Sequence, residues 1–528
     1  MSTTVYNVDE NVWSNVEPVH RLRESLGSFI HNRLKEFESD RVLEVNYDNQ
    51  RRSTAGEVLK WSTNAAINFE KLGVKKGDVV VFFCQYNSQV VPLIYGCYMI
   101  GAVVNCFDVL LDEDKTINAF NILNPRVIIY SEDFEAKAGR CSTDDAILIP
   151  KMKIESQLFT ENDEWENYQS KDLGDPQEAL ATLLMSSGST GAPKMVTLSH
   201  ALLFNGISSM YSNTNPGDKI FATAPIRWIT QYSLLHKPVF NGAVRICTGL
   251  PTNSQRLCEI IRTEQISHLV ANLNMAYDLF DHLDVQGNYK DLNSLSHILL
   301  GGDCVPDAMI DTIIRKLPKV LPIKCYGMSE LGGLAATNEP TGNVYLNGGA
   351  LFKGVSVKII DFEGTLLSYN KKGRIFLNMG IKFLGYYNTE GDINDAFQDD
   401  WLETGDYGFM DKGNNLHLVG RCKDIINHKG IEIIPSSIQA VLNFHEAVKT
   451  SIVLGIGSER KPVIFVILND KAKILENVEN ILMDYLCSSS LPKEVLEVLG
   501  HIEIMESIPM LTTGKYDKVG LERLYLEK

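Results

Sequence analysis

Two observations predict an α/β fold. Up to about Gly420, short β-branched runs alternate with stretches of helical periodicity, the pattern of parallel sheets joined by crossover helices. Beyond Gly420 the chain reads as a compact mixture of strands and helices, roughly a hundred residues long, a usual size for one domain. The reading is a large N-terminal domain of parallel-rich sheets, residues 1–421, and a small α+β C-terminal domain, residues 422–528, with the boundary at Arg421–Asp424.

The strands of the first part are read at Asp78–Phe83, Arg126–Tyr130, Ala146–Pro150, Ala181–Met185, His268–Ala271 and His297–Leu300, with helices between them such as Glu57–Leu72 and Gln255–Glu264. The segment Val79–Phe107 carries no formal charge, but polar residues from Gln85 to Gln89 divide it. The apolar remainder, Val90–Val104, is shorter than the ~18 residues of a membrane span. It reads as a buried strand, Val79–Cys84, then a turn and a buried helix ending near Gly101. In the C-terminal part a polar loop from Asn427 precedes a helix at Pro435–Phe444. Strands at Thr450–Gly455 and Val463–Leu468, a helix at Leu475–Ser488 and a strand at His501–Met505 complete it.

Composition narrows the function. The formal net charge of −16 argues against a nucleic-acid or anionic-membrane surface, where basic residues supply the affinity. Small polyanionic ligands remain compatible, because a few lysines or backbone amides can hold a phosphate. The ten cysteines form no C-x-x-C pair and read as reduced thiols of a cytosol-like compartment. The N-terminus has no apolar signal core, and Leu526-Glu527-Lys528 is not a Ser-Lys-Leu peroxisomal address. A cytoplasmic location is expected, with the peroxisome as the alternative.

Four motifs carry chemistry. Ser186, Ser187, Gly188, Ser189, Thr190 and Gly191 lead through Ala192-Pro193 to Lys194, between two apolar strands. Glycines permit the turn, backbone N–H groups and hydroxyls can donate to phosphate, and Lys194 adds charge. The loop suits a triphosphate although it lacks the Walker spacing. Tyr326-Gly327-Met328-Ser329-Glu330 follows the strand-like Leu321–Lys324, and a carboxylate there can hold Mg²⁺ against phosphate oxygens. Asp406, read in a tight turn, and Arg421, read on a neighbouring strand, can hold ribose hydroxyls. Lys515, behind Thr512-Thr513-Gly514, can reach a developing negative charge.

In this order and spacing, from about Arg52 to Lys518, the chain resembles the adenylate-forming superfamily: acyl-CoA synthetases, 4-coumarate–CoA ligases, beetle luciferases and peptide-synthetase adenylation domains. Weaker elements, Gly77-Asp78, Gly101-Ala102, Gly301-Gly302 and Gly380 to Tyr386, agree. The resemblance implies a small β subdomain within the N-terminal domain and a mobile C-terminal lid with its hinge near Lys423. It further implies that Ser186 to Lys194 cradle the phosphates of ATP, and that Gly302, Asp303 and Cys304 lie along adenine with Tyr326 stacked on it. Ser329 would contact the α-phosphate, Glu330 bind Mg²⁺, and Asp406 and Arg421 hold the ribose. Lys515 would bridge the substrate carboxylate and α-phosphate, and Lys429 and Gly430 line a channel for the thiol of coenzyme A. Trp228 and Thr230, with Gly332 and Gly333 leaving room opposite, would form an acyl pocket for a medium or long aliphatic acid or an aromatic acid.

The sequence departs from the family at Met195, where a glycine is usual, and at Ser437 and Gln439, where carboxylates are usual. Asn427 replaces a lysine of the luciferase branch, so light emission with luciferin is not expected. The implied activity is an ATP- and Mg²⁺-dependent acid–thiol ligase acting on a small carboxylic acid with coenzyme A, as a monomer or homodimer. Two alternatives stay open: an impaired nucleotide- or acyl-binding pseudoenzyme, and an adenylating enzyme with another acceptor.

Overall fold

A computed structural model describes residues 4–8, 10–17, 21–84, 89–143, 145–186, 194–210, 214–250, 252–302, 304–338, 349–388, 397–398, 401–469, 472, 476–510 and 516–527. Its centre is two parallel-rich sheets. One has six strands in the spatial order Lys194–Ser199, Leu180–Ser186, Val103–Cys106, Val79–Phe83, Val127–Tyr130 and Ile147–Pro150, parallel throughout except at the first pair. The other has nine strands. Its parallel part runs Leu321–Met328, His297–Gly301, His268–Asn272, Lys219–Ala222, Val244–Cys247 and Val42–Asn46.

Strand periodicity explains the layering. Val80, Phe82 and Leu184 enter one core, and Val79, Val81, Phe83 and Leu183 enter another on the opposite face of the same sheet. The first of these cores also takes Leu203 and Ile207 from the helix His200–Ser209, and Tyr232, Leu235 and Val239 from the helix Ile229–Asn241. Leu234 of the latter helix packs instead with Ile220, Val270 and Leu299 of the nine-stranded sheet. These two helices are therefore shared between the sheets, while Ser254–Glu264, Leu273–Gln286 and Asp307–Lys316 cover the far face of the nine-stranded one. The uncharged segment is a helix, Val90–Ile100, buried along its whole length and closed by Gly101 at φ +77, whose N–H bonds the Cys97 and Tyr98 carbonyls. Among the described residues no helix is long and apolar enough to cross a membrane.

A seven-stranded antiparallel sheet includes Ser356–Ile360, Gly373–Asn378, Trp401–Met410 and Leu416–Arg421 and encloses its own core around Val357, Ile375 and Leu377. From Ile426 onward another core forms, from Ile433, Ile438, Ile464 and Leu482 among others. Here the expected polar loop at Asn427 is a hairpin: Ile426–His428 pairs with Ile431–Ile433. The sequence reading noticed its polar residues but not that Ile426 and Ile433 are buried. Lys429 and Gly430, at φ +53 and +78, form the two-residue turn that matches strand twist. The helix expected over Leu475–Ser488 runs Val478–Cys487, because Asn477 at φ +56 stops it; Leu475 lies outside the described residues.

Candidate active site

The carboxyl ends of parallel strands in an open sheet are where ligands collect. Strands Leu180–Ser186, His297–Gly301 and Leu321–Met328 end with Ser186, Gly301 and Met328, so their order delivers two of the four motifs and the Gly301-Gly302 element to such edges. A buried ion pair joins the two sheets there. Arg227, after Lys219–Ala222, places Nε 3.0 Å from Oδ2 of Asp108, which follows Val103–Cys106. Burial lowers the Arg227 pKa and Asp108 opposes the shift. Arg227, next to Trp228 in the sequence, is thus a tie between sheets.

The ribose candidates form one cluster. Asp406 does not sit in a tight turn: it lies within the strand Trp401–Met410. The register against Gly373–Asn378 slips between Arg374 and Phe376, and Gly405 at φ +70 occupies the irregularity. A bulge of this kind re-aims side chains. Asp406 is paired directly with Arg421 on Leu416–Arg421, and Arg421 Nε stands 3.0 Å from Asp406 Oδ1. The Tyr326 hydroxyl donates to Asp406 Oδ2 at 2.7 Å, and Arg421 Nη1 donates to the Thr404 carbonyl at 3.1 Å. Burial, then the Asp406 charge, raises the Tyr326 pKa well above the phenol value, so it remains a donor. Burial disfavours the Arg421 charge, but Asp406, Tyr326 and Glu330 more than offset it and raise its pKa. Cys304 Sγ reaches the Leu418 carbonyl at 3.5 Å, which brings the end of the Gly302 loop to the same strand. Gly302 has φ +87, and a Cβ there would meet nothing within 4 Å.

The phosphate-side candidates form a second cluster. The strand Leu321–Met328 is longer than expected, and Ser329–Leu331 follows as a short 3₁₀ turn with Glu330 half-buried in it. Glu330 Oε1 accepts from the Tyr386 hydroxyl at 3.1 Å, and Lys194 Nζ lies 4.8 Å from the centre of the same ring. Tyr386 was seen in the sequence only as the end of a glycine-tyrosine stretch. Its role in joining Lys194 to Glu330 carried no local signal. Ser187, Gly188, Ser189, Thr190, Gly191, Asp303 and Lys515 lie outside the described residues, as does the side chain of Ser186.

Two positions gain a packing reason. At Gly332 and Gly333 the space into which a side chain would project is taken. A Cβ on Gly332 would stand 2.9 Å from the Leu202 carbonyl, and one on Gly333 2.8 Å from the Gly206 Cα. The helix His200–Ser209 fills that space, and glycine is needed for its close approach. Met195 belongs to the core. Alternation along Lys194–Ser199 turns it inward, fully buried with Leu183 and Phe83. Trp228 precedes the helix Ile229–Asn241, and it and Thr230 are half-buried at its start. Lys423 lies exposed in the 3₁₀ turn Cys422–Asp424, and Lys429 and Gly430 are the exposed tip of the hairpin.

Residues 31–387 match the family described as AMP-binding enzyme. The chain is 25% identical over 447 residues to 4-coumarate–CoA ligase 3 of Arabidopsis thaliana, covering 80% of this chain and 79% of that protein. It is 26% identical over 465 residues to 2-succinylbenzoate–CoA ligase of Oceanobacillus iheyensis, covering 85% and 91% respectively. The crystal structure of anthranilate CoA ligase AuaEII in complex with anthranoyl-AMP superposes with a TM-score of 0.84 at 20% identity, over 97% of this chain and 99% of that one.

Proposed function

The chain belongs to the AMP-binding enzyme family, within the adenylate-forming superfamily, and on that premise we propose that it activates a carboxylic acid with ATP and passes the acyl group to coenzyme A. The observation that carries this reading is the convergence of two clusters. Tyr326, Asp406 and Arg421 make one, and Lys194, Tyr386 and Glu330 make the other, with Glu330 close enough to act on the Arg421 charge. The residues fit their ligands. Glu330 is a hard oxygen donor suited to Mg²⁺, and Gly302 presents an open backbone surface where a flat base can lie. Asp406 suits ribose hydroxyls, and Lys194 suits phosphate.

In the proposed first half-reaction a substrate carboxylate oxygen attacks the α-phosphorus of ATP and pyrophosphate leaves, forming an acyl-adenylate. Two anions meet in that step, so the chain's task is positioning and charge compensation. Lys194 holds phosphate oxygens, Ser329 contacts the α-phosphate, and Lys515 neutralises charge between carboxylate and phosphate. Glu330 would hold magnesium, which when bound would supply further positive charge near the phosphates. In the second half-reaction the thiolate of coenzyme A attacks the acyl carbonyl and AMP leaves. Residues 422–528 are read as the lid that turns about Lys423 between the two steps, with Lys429 and Gly430 beside the thiol channel.

Trp228 and Thr230 are proposed to face the acid. An aromatic acid is favoured over a long aliphatic one. The aromatic acids named for the relatives support this choice. The burial of Met195 removes one ground for a pseudoenzyme, since that side chain packs the core.

The test is AMP release from ATP and Mg²⁺ across substituted benzoic and cinnamic acids and medium- and long-chain fatty acids, with and without coenzyme A. Release that depends on one aromatic acid and rises with coenzyme A is the expected result. Release that responds only to fatty acids refutes the substrate class. Hydroxamate formed from hydroxylamine at the same rate with and without coenzyme A counts against the acceptor, and ATP binding with no turnover on any acid refutes the activity.

A further inference from the structure

Tyr386 stands between two groups with opposite tasks. Its hydroxyl donates to Glu330 Oε1 at 3.1 Å, and its ring faces Lys194 Nζ at 4.8 Å, within cation–π range. Its backbone is held on both sides. Tyr386 bridges Val196, Tyr387 N–H donates to the Met195 carbonyl at 2.8 Å, and Thr197 N–H and Oγ1 donate to the Gly385 carbonyl at 3.2 and 2.6 Å. Gly385 has φ +89, which places the tyrosine against the strand without backbone strain. The Phe383 ring meets the Tyr386 ring edge-on at 5.7 Å. The phenol is therefore anchored to the strand that carries Lys194 and reaches across to the turn that carries Glu330. Packing needs the ring, but it does not need the hydroxyl.

We propose that Tyr386 is a positioning residue: through its hydroxyl it fixes the Glu330 carboxylate, and through its ring face it fixes the Lys194 ammonium, so that a divalent-cation ligand and a phosphate-binding cation are pre-set relative to one another. The inference rests on the reading of these two residues given under the proposed function. Lysine and glutamate are among the side chains that lose most freedom when ordered, and holding them in place beforehand spares that cost at binding.

The test is calorimetric titration of ATP into the full-length protein, once with Mg²⁺ and once with EDTA. Tyr386→Phe keeps the ring and removes only the hydroxyl. It is expected to weaken MgATP binding about tenfold, the scale of a lost hydrogen bond to a charged group, and to change binding in EDTA less than about twofold. The Mg²⁺ concentration giving half-maximal tight binding rises in parallel. In a Glu330→Gln background the same change adds nothing. Tyr386→Leu, which also removes the ring face, weakens ATP binding in EDTA as well. Wild-type affinity for MgATP in Tyr386→Phe, or an equal loss in EDTA or in the Glu330→Gln background, overturns the inference while leaving the adenylation reading intact. A wild-type protein that binds no MgATP overturns both.

Discussion

Asp406→Asn separates charge from shape at the centre of the candidate ribose site. Asparagine keeps the volume and can still accept from Tyr326, but it loses its attraction for Arg421. The two partners differ in exposure: the Asp406 side chain is 7% exposed and that of Arg421 48%. Arg421 can turn toward water when its partner is neutralised, so the full cost of about 3–5 kcal/mol for breaking a buried pair does not apply. A loss nearer 1–2 kcal/mol is expected, visible as a fall of no more than a few degrees in Tm. Nucleotide binding suffers more. A hydrogen bond to a charged acceptor contributes about 1.5–3 kcal/mol, against about 1 for a neutral one. Two ribose hydroxyls thus lose roughly 1–4 kcal/mol together, or about 5- to 900-fold in affinity. Calorimetric titration with ATP and with its 2′,3′-dideoxy analogue tests this. The variant is expected to lose that factor for ATP and less than about threefold for the analogue. An equal loss for both nucleotides would refute the ribose assignment and leave Asp406 as a structural residue.

Three further outcomes follow from the same structure. Trp228→Ala shifts the preferred acid toward larger ones while ATP affinity is retained; an unchanged preference across an acid panel removes Trp228 from the pocket. Gly206→Ala places a Cβ 1.9 Å from the Gly332 carbonyl oxygen, and overpacking of this kind costs about 1–3 kcal/mol or more. Tm is expected to fall, and wild-type Tm would mean that the helix His200–Ser209 packs less closely on Gly332. The third concerns acid. His236 is buried, none of its ring nitrogens has a hydrogen-bond partner among the described residues, and burial lowers its pKa to about 3, with Arg245 adding to the effect. The unfolded imidazole titrates near its ordinary 6.5 and binds a proton that the folded one refuses, so the stabilisation is full above pH 6.5 and is lost as pH falls toward 3. His236→Phe is expected to flatten the decline of Tm between pH 6.5 and about 4. A decline as steep as in wild type would show that acid lability comes from His31, His200 and His268, whose pKa values burial also lowers.

Part of the site was legible because its signals are local. β-branched runs mark buried strands, and Val80 and Phe82 alternating with Val79, Val81 and Phe83 is a property of five consecutive residues. The sequence brought Asp406 and Arg421 together as one ribose pair, although it read Asp406 in a turn and not in the strand that the structure gives it, and the glycine-serine loop stood out by composition alone. The same local reading failed where a residue type has two physical uses. Glycine means either open space or a close backbone approach: Gly302 is open, whereas Gly332 and Gly333 are filled by a helix from more than a hundred residues earlier in the chain. Met195 is in the sequence only a departure from a family pattern, and one step of strand alternation buries it. The polar residues around Asn427 concealed a hairpin held by two isoleucines.

From the sequence alone come the class of fold, the order of the motifs and their resemblance to a family, because periodicity and the residues of each motif lie within short stretches of chain. The tertiary structure alone decided which chemical groups meet. Tyr386 reaches Glu330 across 56 residues, and Tyr326 reaches Asp406 across 80. Arg227 finds Asp108 only because two sheets with non-consecutive strand order bring their carboxyl edges together. Contacts of that range depend on sheet order and on the depth to which each helix packs, and neither leaves a mark in the local pattern of residues.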